Sequence, residues 1–200
     1  METIGIFGGS FNPVHVGHTM LASYLVQWGY VDRLWLTLSP LNPLKEPGTL
    51  LPDMKRLDML AIAVRGCRDI DICDIELAMP RPSFTINTLD LLHERNPDVR
   101  FKLIIGSDNW RIFDQWREAQ RILDDYGVIV YLRPGYPVPD EHVYGLEVVH
   151  APMADLSSTF IRNAIAKGRD MNFFLPPGVY KYIVENGLYG ACCAGTVNKK

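Results

Sequence analysis

"GIFGGSFNPVHVGHTMLASYL", Gly5 to Leu25, reads as a strand, a glycine-rich bend and a helix from about Gly17 to Trp28. A helix that opens where a strand ends presents backbone N–H groups with no intrahelical partner and the positive end of its dipole. That is an anion site, and phosphate is its usual occupant. Gly8 and Gly9 carry no Cβ to hold a ligand away, and Pro13 stiffens the approach. His15 and His18 are spaced i, i+3, so both face one side of the first turn. Imidazoles there donate hydrogen bonds to phosphoryl oxygens and carry partial charge near neutral pH. Two plainer readings stand beside this one. The histidines cap or pack the helix, or they form a metal pair, for which the sequence places no third ligand and contains no H-E-x-x-H. Neither G-x-G-x-x-G nor G-x-x-x-x-G-K-[ST] occurs, so the dinucleotide fingerprint and the Walker loop are both absent.

Outward from this stretch, apolar runs alternate with helical patterns. "RLWLTL" is followed by the loop "SPLNPLKEPG". "LPDMKRLDMLAIAVRG" reads as a helix with Leu57, Leu60, Ala61 and Val64 as its apolar stripe. "DIDICDIE", "RFKLIIG", "GVIVYL" and "LEVVHA" read as strands. "PSFTINTLDLLHERNP", "SSTFIRNAIAKG" and "PPGVYKYIVENG" read as helices, and "SDNWRIFDQWREAQRILDDYG" as one helix or two short ones. Repeated strand–helix units with nearly continuous apolar strands predict an α/β fold: a Rossmann-like, doubly wound, mainly parallel sheet with helices on both faces. Ligands of such sheets bind beyond the carboxyl ends of the strands, where strand order reverses. Residues 1–190 read as one domain and 191–200, with Cys192 and Cys193, as a mobile tail.

Composition narrows the function classes. With 48% apolar and 22% charged residues, the chain is an ordinary globular protein, and its net charge of −3 gives no basic field for nucleic acid. No apolar run is long enough to cross a membrane, and "METIGIFGG" does not read as a signal peptide. Cys67, Cys73, Cys192 and Cys193 form no C-x-x-C pair, so a reducing cytoplasm is expected rather than a disulfide framework or a zinc site. Oligomeric state stays open, a homo-oligomer included.

"GGSFNPVHVGH" matches the G-x-F-x-P-x-H-x-G-H signature of the nucleotidylyltransferase superfamily, and "LSSTFIR" (Leu156 to Arg162) resembles its I-S-S-T-x-I-R. Within it the chain resembles the bacterial nicotinate-nucleotide adenylyltransferases. The match runs through "PSFTINTL" (Pro82 to Leu89), "IIGSDN" (Ile104 to Asn109), "WREAQRIL" (Trp116 to Leu123), "RPGY" (Arg133 to Tyr136) and "LPPGVYKYIVENGLY". The resemblance implies transfer of AMP from ATP to nicotinate mononucleotide, giving deamido-NAD and pyrophosphate, with Mg²⁺ accompanying ATP. Other readings are a relative acting on phosphopantetheine and a nucleotide-binding sensor without turnover.

The same resemblance assigns roles. His15 and His18 would hold ATP phosphates, with the N–H groups of Gly8, Gly9, Ser10 and Phe11 along the bridging oxygens. Ser157, Ser158 and Thr159 would open a second phosphate cradle, Arg162 would reach the β- and γ-phosphates, and Lys45 would neutralise phosphate from its loop. Gly106 and Asp108 would meet ribose and adenine, Arg133 would stack on adenine, and Thr85 and Trp116 would hold the pyridine ring and its carboxylate. Taken alone, Asp108 also reads as a helix N-cap, Trp116 as core and Arg133 as a solvated charge. Leu44 stands where the family often has His, and Asn12 where many relatives have Asp.

Overall fold

The opening stretch forms β1 (Glu2–Gly9) and α1 (Val16–Gln27). The computed structural model describes residues 1–40 and 50–191. Next come β2 (Arg33–Leu38), α2 (Asp53–Ala63), β3 (Ile70–Cys73), α3 (Thr85–Arg95) and β4 (Val99–Gly106). The short α4 (Ser107–Trp110) and α5 (Ala119–Arg121) precede β5 (Val128–Tyr131) and β6 (Leu146–Val149), and α6 (Ser158–Ala166) and α7 (Val179–Glu185) complete the set.

The strands form one sheet in the order β3-β2-β1-β4-β5-β6, and every neighbouring pair is parallel. The chain runs from β1 outward through β2 to β3, then returns to the other side of β1 with β4. The reversal therefore lies between β1 and β4, with Gly9 and Gly106 at the carboxyl ends of the two strands. The doubly wound expectation holds, and the ligand crevice belongs at that edge.

Side chains alternate between two cores, as the strand period of two requires. Ile4 and Ile6 of β1, Phe101, Leu103 and Ile105 of β4, and Val128 and Val130 of β5 pack with Ile86 and Leu89 of α3. On the opposite face Phe7, Ile104 and Ile129 pack with Leu21 and Leu25 of α1, Met59 and Leu60 of α2, Ile161 of α6 and Ile183 of α7. A Cβ at Gly5, at the centre of β1, would come within 2.5 Å of Ile104 Cδ1, so that side chain would have to shift to admit one.

Two elements depart from the sequence reading. In α2 the buried positions are Arg56, Met59 and Leu60, while Ala61 faces solvent and Leu57 and Val64 are half-buried. The inward stripe is rotated to take in a charged residue whose donors are all needed, as described below. Residues 107–126 form neither one helix nor two. They break into α4, a 3-10 turn at Phe113–Gln115, α5 and a π-turn at Ile122–Tyr126. Glu118 causes one break by taking a left-handed backbone, φ 54°.

Candidate active site at the β1–β4 crevice

The bend after β1 is built around Phe11. Its backbone is left-handed, φ 41°, and its buried ring folds back over Gly9, where a Cβ would lie 2.9 Å from Phe11 Cζ. Gly8, exposed at the strand end, has nothing within 4 Å of its missing Cβ, so the backbone there is open to an approaching group. The Phe11 ring meets the His18 ring edge-on, with centroids 5.0 Å apart.

His15 is the N-cap of α1, and its ring stacks on that of His18 at 3.7 Å and 25°. The His15 backbone N–H donates to His18 Nδ1 at 3.2 Å. With Nδ1 accepting, a neutral His18 ring carries its proton on Nε2, an assignment that follows from the hydrogen bond. His15 is only 5% exposed. Burial first, and the nearby Arg133 charge second, push its pKa down from 6.5 to about 4. This corrects the expectation of partial charge at neutral pH: His15 is a neutral imidazole there, because its ring is out of water.

The second phosphate motif is tied to the first. Ser158 Oγ donates to the Pro13 carbonyl at 2.9 Å, and Arg162 Nη1 donates to the Asn12 carbonyl at 2.8 Å. Arg162 Nη2 also donates to Thr159 Oγ1 at 3.2 Å. Two of the five guanidinium N–H donors are accounted for by these bonds. Ser157 caps α6, its hydroxyl accepting from the Phe160 N–H at 3.1 Å. The Ser158 hydroxyl thus donates to main chain, whereas the Ser157 and Thr159 hydroxyls accept in these bonds, and the first turn of α6 also offers an anion its backbone N–H groups. The starts of α1 and α6 converge on Asn12 and Pro13.

At the end of β4, Asp108 is not a helix N-cap. Gly106 occupies that position, and Asp108 Oδ2 accepts from Arg133 Nη1 at 2.7 Å. Arg133 is therefore not a free solvated charge; the ion pair uses an edge of its guanidinium and stacking uses the planar face, so the two are compatible. Its own N–H donates to Ser107 Oγ at 2.8 Å. Asp108 Oδ1 is buried and has no partner among the described residues. A Cβ on Gly106 would fall 2.4 Å from that oxygen and 2.8 Å from Arg133 Cδ.

Thr85 is the first residue of α3, whose first turn carries no acidic side chain. The loop before it is held by Glu76, a buried carboxylate accepting from Ser83 Oγ at 3.1 Å and Thr88 Oγ1 at 3.0 Å. Trp116 is half-buried, 5.5 Å from the Phe113 ring, and the adjacent Arg117 guanidinium lies 4.9 Å from the Phe84 ring. That contact brings the Trp116 segment beside the start of α3. Lys45, Leu44, Cys192 and Cys193 lie outside the described residues.

Three residues at the crevice have structural roles that the sequence reading does not assign. Asn12 Oδ1 accepts from Tyr189 O–H at 2.8 Å and from the Leu51 N–H at 3.4 Å. Both contacts need only an acceptor, which an aspartate also supplies. Tyr189 belongs to the "ENGLYG" turn, and nothing local in that turn marks it as reaching the bend before α1. Arg56, the third, carries no signal in "DMKRLDML" beyond its charge.

The cytidylyltransferase-like family model matches residues 6–164, which includes both helix-mouth motifs. A Bacteroides fragilis protein named "Probable nicotinate-nucleotide adenylyltransferase" is 44% identical over 182 residues, covering 90% of each chain. A Porphyromonas gingivalis protein of the same name is 42% identical over 186 residues, covering 92% of this chain and 94% of its own. The chain belongs to the nicotinate-nucleotide adenylyltransferase family, within that cytidylyltransferase-like class. Its fold is also that of Plasmodium falciparum nicotinic acid mononucleotide adenylyltransferase complexed with NaAD, with a TM-score of 0.78 at 20% identity over 94% of this chain and 98% of the other.

Proposed function

We propose that the β1–β4 crevice transfers the AMP moiety of ATP to nicotinate mononucleotide, giving deamido-NAD and pyrophosphate. One observation carries the placement of this chemistry: the mouths of α1 and α6 are joined at Asn12 and Pro13 by Arg162 and Ser158. Two helix N-termini and a guanidinium at one point form a site for a polyanion. The phosphate of the mononucleotide attacks the α-phosphorus of ATP in line. A new P–O bond forms as the bond from the α-phosphorus to the oxygen bridging it to the β-phosphorus breaks, and pyrophosphate leaves with that electron pair. A phosphate monoester is already nucleophilic at neutral pH, so positioning and charge neutralisation supply the rate without a covalent enzyme intermediate.

His18 Nε2–H donates to the transferring phosphoryl group, and the neutral His15 ring backs it by stacking. Gly8, Gly9, Ser10 and Phe11 bring backbone against the phosphates, and Arg162 neutralises the leaving pyrophosphate. Lys45 adds charge from the segment after β2. Asp108 Oδ1, a buried acceptor without a partner among the described residues, takes a ribose hydroxyl, and Arg133 holds the other carboxylate oxygen in place. The first turn of α3 at Thr85 receives the nicotinate carboxylate, and Trp116 stacks on the pyridine.

Mg²⁺ belongs to the substrate as MgATP. Among the described residues no three His, Cys, Asp or Glu side chains group around a metal-sized space. Phosphate oxygens and water, which Mg²⁺ retains readily, therefore supply most of its coordination in this proposal.

Replacing His18 with Ala tests the placement. The variant is expected to lose about a hundredfold or more in kcat, the usual cost of removing one transition-state donor, while its Tm stays within a few degrees. A folded His18→Ala enzyme with near-normal turnover would exclude the phosphate role.

A further inference from the structure

Arg56 has no exposed surface, yet it sits on α2, outside the helix-mouth motifs. Its Nη1 donates to the Ser10 carbonyl at 2.6 Å and to the Ser39 carbonyl at 2.9 Å. Its Nη2 reaches the Pro40 carbonyl at 3.3 Å and the Asp53 carboxylate, and its Nε reaches the Leu51 carbonyl at 3.1 Å. The fork thus joins the bend after β1, the end of β2 and the residues leading into α2. A buried ion pair is a weak source of stability, since apolar residues of similar volume often do as well. A guanidinium satisfied mostly by main-chain carbonyls points instead to geometry.

The carbonyl at Ser10 matters most. The Ser10–Phe11 peptide is trans, so its C=O and N–H point in opposite directions across a rigid plane. Arg56 grips the carbonyl from the α2 side, and the Phe11 N–H is thereby turned to the opposite side.

We propose that Arg56 is a positioning residue for adenylyl transfer: by holding the Ser10 carbonyl it fixes the peptide that presents the Phe11 N–H to the phosphates of ATP. This rests on the reading that the bend after β1 binds ATP. Arg56 touches no substrate itself.

Arg56→Lys keeps the charge and the stem but replaces the planar fork with a flexible ammonium. It is expected to raise KM for ATP and lower kcat, each by about tenfold or more, as small displacements of positioning groups do. KM for the mononucleotide should stay within about twofold of wild type. Asp53→Asn removes the carboxylate partner and leaves the carbonyl bonds, so it should lower Tm without changing KM for ATP. Wild-type ATP kinetics in folded Arg56→Lys overturn the proposal. So does an Asp53→Asn variant that raises KM for ATP as much as Arg56→Lys, because the loss then belongs to the ion pair.

If Arg56→Lys does not fold, the wild-type chain still decides. Titration with Mg²⁺ and a non-hydrolysable ATP analogue must move the Phe11 amide resonance and slow its hydrogen exchange. Binding that moves other resonances but leaves Phe11 unchanged overturns this proposal, together with the Phe11 contact it rests on, and leaves the rest of the functional reading standing. No binding at all overturns the functional reading together with it.

Discussion

His15 and His18 look equivalent in "HVGH" and are not. One ring is buried and depressed to about 4, and the other lies on top of it with Nδ1 occupied by a backbone N–H. The pH consequence follows from the first. A histidine whose folded pKa lies below its unfolded value of about 6.5 binds fewer protons when folded throughout that interval. Its stabilisation is complete above pH 6.5 and is lost as pH falls towards 4. The full shift corresponds to roughly 3 kcal/mol as an order of magnitude. Chemical denaturation at pH 7 and pH 4.5 should therefore show a larger loss in wild type than in His15→Gln, which has nothing to protonate. Equal losses would show that His15 is not held neutral. The two-histidine motif was legible in the sequence, but the division of labour was not, because the burial of His15 and the charge of the sequence-distant Arg133 beside it are set only by the fold. Asn12 and Tyr189, 177 positions apart, show the same limit.

Among the elements, β1–α1 and the start of α6 were readable because strand alternation, glycine bends and a serine cap are local signals. The 107–126 segment was not, because its breaks depend on packing. Trp110 and Phe113 stack at 5.0 Å, and Glu118 adopts a left-handed turn that no sequence rule places there. The inward face of α2 was misread for a related reason: periodicity seeks apolar stripes, and Arg56 is inside for its donors. The β4–α4 junction offers a direct test. Gly106 has φ −77°, so an alanine meets no backbone strain, only the lack of room beside Asp108 and Arg133. Gly106→Ala should displace that ion pair and raise KM for ATP by about tenfold, the loss of one hydrogen bond to a charged group. KM for the mononucleotide should change far less. Equal rises for both substrates would separate Asp108 from the ribose.

At the scale of the whole molecule, the doubly wound sheet follows from the alternation of apolar strands and amphipathic helices, and the observed strand order puts the crevice at the carboxyl ends of the central strands β1 and β4. None of the helices among the described residues is long and apolar enough to cross a membrane. In the proposed reading the α3 mouth and Trp116 decide what the crevice joins to AMP, and sequence reaches those residues only through the family motifs. The most direct measurement is therefore of products. Purified enzyme with MgATP should be given nicotinate mononucleotide, nicotinamide mononucleotide or phosphopantetheine, with dinucleotide and pyrophosphate measured together. The account predicts deamido-NAD and pyrophosphate in equal amounts with nicotinate mononucleotide, at a rate well above that with phosphopantetheine. Pyrophosphate release with nicotinate mononucleotide no faster than with phosphopantetheine would contradict it.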